Sequence, residues 1–114
     1  MKSHKDLKVW QESMDLVVEL YNLTYSFPKE ELFALTSQIK RSAISIPSNI
    51  AEGAGRNGKA EFRRFLYIAL GSASELETQI EISYRLKFIE NIENLESKIR
   101  FIKSMLSKLI KSLE

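Results

Sequence analysis

Three glycines have the spacing of a phosphate-binding loop, because residues 53–58 read Gly53-x-Gly55-x-x-Gly58. In dinucleotide-binding proteins such a loop leaves a strand and opens a helix, so that free backbone N–H groups point at the pyrophosphate. The residues before Gly53 have helical periodicity and no strand pattern. We therefore interpret the segment as a corner between two helices. Gly53 or Gly55 is predicted to take the left-handed C′ position, and Asn57 or Gly58 to cap the next helix.

Side chains that commonly catalyse reactions or bind metals are scarce in this chain. His4 is the only histidine and there is no cysteine, which argues against histidine-based catalysis and against thiolate metal sites. Glutamates are numerous, but a di-iron bundle also needs Glu-x-x-His motifs, which the sequence lacks. We expect a protein that is not an enzyme and that uses no metal or other cofactor.

Basic side chains are concentrated around the predicted corner. Residues 40–64 contain six basic and two acidic residues, whereas residues 75–96 contain six glutamates and two basic residues. Basic groups near a helix N-terminus attract phosphate, because the helix dipole adds positive potential there. The sequence therefore predicts phosphate contacts without base-specific readout. The candidate nucleic-acid-binding residues are Arg41, Arg56, Lys59, Arg63 and Arg64.

Two surfaces opposite the predicted core have an unusual composition. The polar face of the second helix uses serine and asparagine where solvated faces commonly use lysine and glutamate, so it is either a partner contact or plain solvent surface. In the third helix Gly71 costs about 1 kcal/mol relative to alanine, which close approach of another helix would explain. This second seam favours an oligomer over a monomer. The candidate oligomer contacts are Ser45, Ser48, Asn49, Glu52, Tyr67, Ile68, Gly71, Ser74 and Thr78.

Helical periodicity extends over nearly the whole sequence, and no segment keeps a period of two for the length of a strand. It predicts helices at about 6–25, 29–53, 58–88 and 92–113, separated by short connections. Short connections make consecutive helices antiparallel, so we predict an all-α, up-down-up-down four-helix bundle. Pro47 removes a helical hydrogen bond and is expected to kink the second helix. The predicted core stripe of the first helix is Leu7, Trp10, Met14, Val17, Tyr21 and Thr24, and that of the second is Ile39, Ala43, Ile46 and Ile50.

The composition is that of an ordinary globular domain. With 114 residues, of which 44% are hydrophobic and 28% charged, the chain suffices for one domain, residues 1–114. The absence of cysteine suits a reducing cytoplasm. The N-terminal residues lack the apolar region of a signal peptide, and no apolar run is long enough to span a bilayer, so we expect a cytoplasmic protein without a membrane partner.

Three segments of the sequence together match the pattern of one known family. The first is Leu7-x-Val9-Trp10-Gln11. The second begins Leu32-x-x-Leu35, reads LTSQIKRSA at residues 35–43 and continues SIPSNIAEG at 45–53, and the third reads FLYIALGSASELETQ at 65–79. These segments resemble the bacterial four-helix bundle proteins encoded in intervening sequences of 23S rRNA, and the resemblance covers nearly the whole chain in order. One departure is Gly58, where a serine cap is more usual.

The resemblance implies an up-down bundle that assembles into a homopentameric ring and carries no catalytic residues. The accessory variability protein of diversity-generating retroelements is similar in fold; it forms such a ring, binds nucleic acid through basic surfaces and works beside a reverse transcriptase. We therefore expect a non-enzymatic oligomer that binds RNA or DNA largely independently of sequence, with a nucleic-acid-processing protein as a further possible partner. The alternative is a protein–protein scaffold or adaptor with no direct nucleic-acid role, using the face from Gln38 to Arg56.

Overall fold

Four helices form most of the structure, a computed structural model that describes residues 2–114. They are α1 (Lys8–Thr24), α2 (Leu35–Ala54), α3 (Lys59–Arg85) and α4 (Glu93–Ser112). Short 3₁₀ turns lie at His4–Asp6 and Lys29–Glu31, and residues 2–114 contain no strand. The predicted all-α class is confirmed.

The helices are arranged as a four-helix bundle about 43 Å long. Each helix packs against two neighbours, in the cyclic order α1, α2, α3, α4, and within residues 2–114 the diagonal pairs make no close backbone contact. The α2–α3 pair has the most extensive contact. The up-down-up-down arrangement is therefore confirmed. The largest fully buried side chains lie at the centre: Leu16, Leu20, Ile39, Ile46, Ile50, Leu66, Leu76, Ile80, Ile99, Ile102 and Leu106.

The start of α2 differs from the prediction, because the helix begins at Leu35 rather than near residue 29. Residues 29–31 form a separate 3₁₀ turn, and Ala34 has a ψ of −105°, which no α-helix allows. The carboxylate of Glu31 accepts a hydrogen bond from the Leu35 N–H at 3.3 Å, so it satisfies a donor at the true helix start. The result is a connection between α1 and α2 that projects from the end of the bundle.

The predicted core stripe of α1 is also wrong for several positions. Met14 and Tyr21 are exposed, and the buried residues are Val9, Ser13, Leu16, Leu20 and Thr24. The hydroxyl of Ser13 donates to the Val9 carbonyl at 2.6 Å, so a polar side chain can face the core at little cost. Because α1 packs against both α2 and α4, the face of α1 that contacts other helices is wide. The hydrophobic spacing predicted only one edge of this face. The predicted stripe of α2, in contrast, is fully buried.

Pro47 lies inside α2 and is buried, and the helix is continuous from Leu35 to Ala54. Proline has no N–H, so the carbonyl of Ala43 loses its usual helical donor. A bend of the helix axis at Pro47 stays a prediction.

Candidate nucleic-acid and subunit interfaces

The glycine segment forms the predicted corner between two helices, but Gly55 has another position in the helix cap than predicted. Gly55 is the C-cap of α2 with a right-handed φ of −86°, so the left-handed C′ glycine was wrong. Gly58 is the N-cap of α3 with a φ of +95°, as one of the two predicted caps. Residues 2–52 contain no strand, so the motif lacks the context of a dinucleotide loop there.

Gly53 has a packing role that the motif did not suggest. A Cβ atom placed on Gly53 would lie 2.7 Å from the Cβ of Phe65 and 3.0 Å from the ring of Phe62. Only glycine therefore allows the last turn of α2 to lie this close to the first turns of α3. Gly53 therefore sets the distance between α2 and α3 at the corner.

Four of the charged residues at the corner pair with one another. Arg56 contacts Glu52 at 3.0 Å, and Arg64 contacts Glu61 at 2.9 Å. Both guanidinium groups lie over the ring of Phe65, at 5.1 Å and 4.4 Å from its centroid. Two of the five candidate phosphate contacts thus have a carboxylate partner within their own chain, which lowers the local positive potential.

The Glu61–Arg64 pair shifts the ionisation of both groups. The hydrogen bond from Arg64 is the main cause that lowers the pKa of the Glu61 carboxyl, and the same bond raises the pKa of the Arg64 guanidinium. Both groups are exposed to water, so the pair orders the surface and adds little to stability.

Arg63 has a structural contact. Its guanidinium donates to the backbone carbonyl of Leu113, at the C-terminal end of α4. A cation at a helix C-terminus satisfies an orphan carbonyl and complements the helix dipole. We infer that Arg63 holds the end of α4 against α3, and its role as a phosphate contact stays a prediction.

The remaining two candidates, Lys59 and Arg41, are exposed and form no ion pair within residues 2–114. Lys59 is the first residue of α3, where the helix dipole adds positive potential. Arg41 lies thirteen residues before Ala54, the last residue of α2, about 20 Å along the helix axis from the corner. It borders a small polar cleft of about 190 Å³ together with Glu75. The five predicted residues therefore do not form one patch.

The polar face of α2 is divided between helix packing and solvent. The hydroxyls of Ser45 and Ser72 are 2.7 Å apart across the α2–α3 interface, and the Asn49 amide donates to the carbonyl and hydroxyl of Ser45 at 2.8 and 2.9 Å. Ser45 and Asn49 thus have contacts within the chain. Ser48 and Glu52 are exposed.

The seam on α3 faces solvent along its whole length. Tyr67 is 57% and Ile68 42% exposed, and Gly71, Ser74 and Thr78 are exposed as well. A Cβ atom on Gly71 would meet no atom within 4 Å, so no helix of the same chain explains this glycine. The Thr78 hydroxyl bonds back to the Ser74 carbonyl at 3.0 Å, which leaves no demand for a polar partner.

The opposite end of the bundle carries exposed apolar side chains that the sequence analysis did not select. We call it the aromatic end; it contains residues 21–36 and 82–92. Tyr25 is 88% and Phe33 93% exposed, and Leu32, Tyr84 and Leu86 are also exposed. Beneath them Phe27 packs on Phe88 with ring centroids 5.5 Å apart. The sequence signal for this surface is the apolar pair Leu32-Phe33 after Pro28. The predicted helix from residue 29 included this pair, whereas the observed α2 begins after it.

Residues 2–114 contain no group of histidine, cysteine, aspartate and glutamate side chains placed to hold a metal ion. Within the same residues, none of the helices has the length and apolarity needed to cross a membrane.

Comparison with known proteins identifies the family. The family model for the 23S rRNA-intervening sequence protein matches residues 5–108, which is nearly the whole chain. The chain belongs to this family. The resemblance inferred from the three sequence segments is therefore confirmed.

A solved structure supports the same assignment. A protein with unknown function from the S23 ribosomal protein family of Bacteroides thetaiotaomicron has a similar fold, with a TM-score of 0.83 and 29% identity. The match covers 90% of this chain and 95% of that chain, so both are bundles of about the same extent. No curated protein matches this chain.

Proposed function

We propose that this protein is a non-enzymatic homo-oligomer, a ring of five as the family resemblance implies, that binds RNA or DNA through basic side chains largely independently of sequence. The observation that carries the oligomer is the α3 seam, where Tyr67 and Ile68 are exposed and Gly71 has no neighbour within its own chain. A small-residue position flanked by apolar side chains suits a second helix from another copy.

Support for nucleic-acid binding comes from the corner, which we define as residues 52–64. Lys59 lies at the N-terminus of α3 without an ion pair in the described chain, and Arg56 and Arg64 lie on either side of it along the sequence. In a ring each copy repeats this group, so weak phosphate contacts add up through multivalency. Phosphate can also displace Glu52 and Glu61, since exposed ion pairs are weak.

The test is a gel-shift titration of single-stranded RNA and DNA at increasing salt. Binding that weakens steeply with salt and differs little between sequences is expected. Lys59→Glu should weaken binding, whereas the matched change Lys87→Glu at the aromatic end should not. Absence of binding at low ionic strength would contradict the nucleic-acid part of the proposal.

A second function, a protein-binding scaffold, is favoured by the ion pairs Arg56–Glu52 and Arg64–Glu61, which reduce the charge available to phosphate. Size-exclusion chromatography with light scattering and absorbance at two wavelengths separates the two functions. It measures the number of subunits and any co-purifying nucleic acid together. An oligomer that neither co-purifies with nucleic acid nor binds it in the titration supports the scaffold.

A further inference from the structure

Two grooves of opposite charge lie on different sides of the bundle. The basic groove, about 320 Å³, lies between α1 and α2 and is lined by Lys29 and Lys40 with no acidic residue. The acidic groove, about 400 Å³, is lined by five residues of α3 and by Glu96 of α4. The two grooves share no lining residue, and α3 makes no close backbone contact with α1 in the described chain, so both grooves can be occupied at the same time.

The basic groove combines charge with exposed apolar surface. Tyr21, Tyr25 and Leu32 line it and are exposed, and the ammonium group of Lys40 lies 4.5 Å from the centroid of the Tyr21 ring. The glutamates that follow Lys29 in sequence do not line the groove. An anionic surface with an apolar centre would fit it.

The acidic groove combines negative charge with exposed apolar surface. Glu77, Glu81 and Glu96 line it together with Arg85, and the exposed Ile82 supplies the apolar surface. Glu77 pairs with Lys103 at 3.1 Å and Glu81 with Arg85 at 2.9 Å, whereas Glu96 forms no ion pair within residues 2–114. The groove is also lined by Thr78, so it continues the α3 seam.

The two grooves lie at the same height along the bundle. The contact of Ser45 with Ser72 and the approach of Gly53 to Phe65 fix the antiparallel register of α2 and α3. Continuing this register places positions 36–40 of α2 level with positions 77–81 of α3. A copy related by rotation about an axis parallel to the bundle, without sliding along that axis, would therefore bring the basic groove of one chain against the acidic groove of the next.

We propose that copies of this chain associate head to tail, with the basic groove of each copy against the acidic groove of its neighbour. Lys29 and Lys40 then face Glu81 and Glu96, and Tyr25 and Leu32 cover Ile82 and the adjoining seam. Such a contact joins two different surfaces, so each copy keeps one groove for the next, and the assembly closes as a ring when its rotation closes. The inference rests on the proposed homo-oligomer and specifies which surfaces form it.

The experiment is a charge-reversal series measured by sedimentation velocity over a range of concentrations. Lys29→Glu with Lys40→Glu reverses the basic groove, and Glu81→Lys with Glu96→Lys reverses the acidic groove. Each pair should weaken self-association by about tenfold or more, since like charges then face each other. The chain with all four changes should regain most of it. Lys108→Glu with Lys111→Glu, exposed on α4 away from both grooves, is the matched control and should change association little.

Each outcome bears on a different part of the inference. A monomeric wild-type chain would overturn the proposed oligomer and this contact with it. An oligomer that is insensitive to both reversals, or a fourfold variant that stays dissociated, would overturn the groove pairing and leave the oligomer standing. Circular dichroism checks that each variant is folded, and mixing the two reversed chains gives a second test. Each retains one native groove, so the mixture should associate where the separate chains do not.

Discussion

The two ends of the bundle differ in how much apolar surface their helix connections leave exposed. At the corner, Gly53 lets α2 and α3 close tightly, Arg56 and Arg64 cover the ring of Phe65, and no large apolar side chain is exposed in the described residues 52–64. At the aromatic end Tyr25 and Phe33 are almost fully exposed above a buried Phe27. The corner is complete within one chain. The aromatic end has apolar surface left over, which a second copy can bury.

This difference carries over to charge. At the corner, each carboxylate pairs with a guanidinium group three or four residues away in the sequence. Towards the aromatic end, Glu77 and Glu81 also have intrachain partners, but Lys29 and Lys40 line a groove that contains no acidic residue, and Glu96 forms no ion pair within residues 2–114. A local ion pair screens its own charge, whereas unpaired charge attracts a complementary surface. We therefore expect changes at the corner to affect stability, and changes to exposed groups at the aromatic end to affect association.

The largest effect is expected at the buried layer of the aromatic end. Phe27→Ala removes a side chain that is 7% exposed and packs on Phe88, so the free energy of unfolding should fall by about 3–5 kcal/mol. The matched change Phe33→Ser removes a ring that is almost fully exposed, and the stability of the monomeric fold should change by less than about 0.5 kcal/mol.

Urea unfolding of both variants measures this contrast. A loss from Phe33→Ser comparable to that from Phe27→Ala, in dilute monomeric protein, would show that Phe33 packs within its own chain. In that case the aromatic end would be as complete as the corner.

The next effect compares two helical glycines, Gly53 in the last turn of α2 and Gly71 in the middle of α3. Gly53→Ala gains about 1 kcal/mol of helix propensity but forces a Cβ against Phe65, an overpacking cost of about 1–3 kcal/mol. We expect net destabilisation. Gly71→Ala gains the same propensity in open space, so the isolated chain should be stabilised by about 1 kcal/mol.

Thermal unfolding of the two variants at low protein concentration gives the sign of each change. Stabilisation by Gly53→Ala would mean that the corner is looser than described. For Gly71→Ala, a stable monomer with weaker self-association would add evidence that the seam is a subunit contact.

The smallest effect is the pH dependence of the corner ion pair. The folded chain lowers the pKa of Glu61 below its ordinary value of 4.5, so the stabilisation is present above that value and is lost as the pH falls through the folded pKa. Arg64→Gln should return the Glu61 pKa towards 4.5 and remove this part of the acid sensitivity. An NMR titration of the Glu61 carboxyl carbon measures the change, with Arg85→Gln as the control. An unchanged Glu61 pKa in the Arg64→Gln chain would contradict the pairing.

Much of the fold could be predicted from the sequence because it depends on local patterns. The spacing of Ile39, Ala43, Ile46 and Ile50 identified the buried face of α2, and glycines with asparagine identified the corner. The predicted start of α2 was wrong, since proline followed by acidic residues suits a 3₁₀ turn as well as an α-helix. The stripe of α1 was partly wrong because two packing neighbours widen the buried arc.

The candidate site was predicted less well, and for a physical reason. Arg41 and Arg63 were grouped with Lys59 because they are near it in the sequence. The length of α2 separates Arg41 from the corner. Tertiary packing brings Arg63 to the carbonyl of Leu113. The exposure of Tyr67 and Gly71 was foreseen, because the opposite face of α3 carried the stronger apolar stripe.

By itself the sequence determined the helices, their order, the family and the absence of cysteine chemistry, because these depend on residue type and on spacing within one helix. The tertiary structure alone decided which charges meet partners and which remain available. It also decided that Gly53 is a packing residue while Gly71 is open, although both are helical glycines. The same residue type had two roles because distances between helices depend on side chains far apart in the sequence, which no local pattern records.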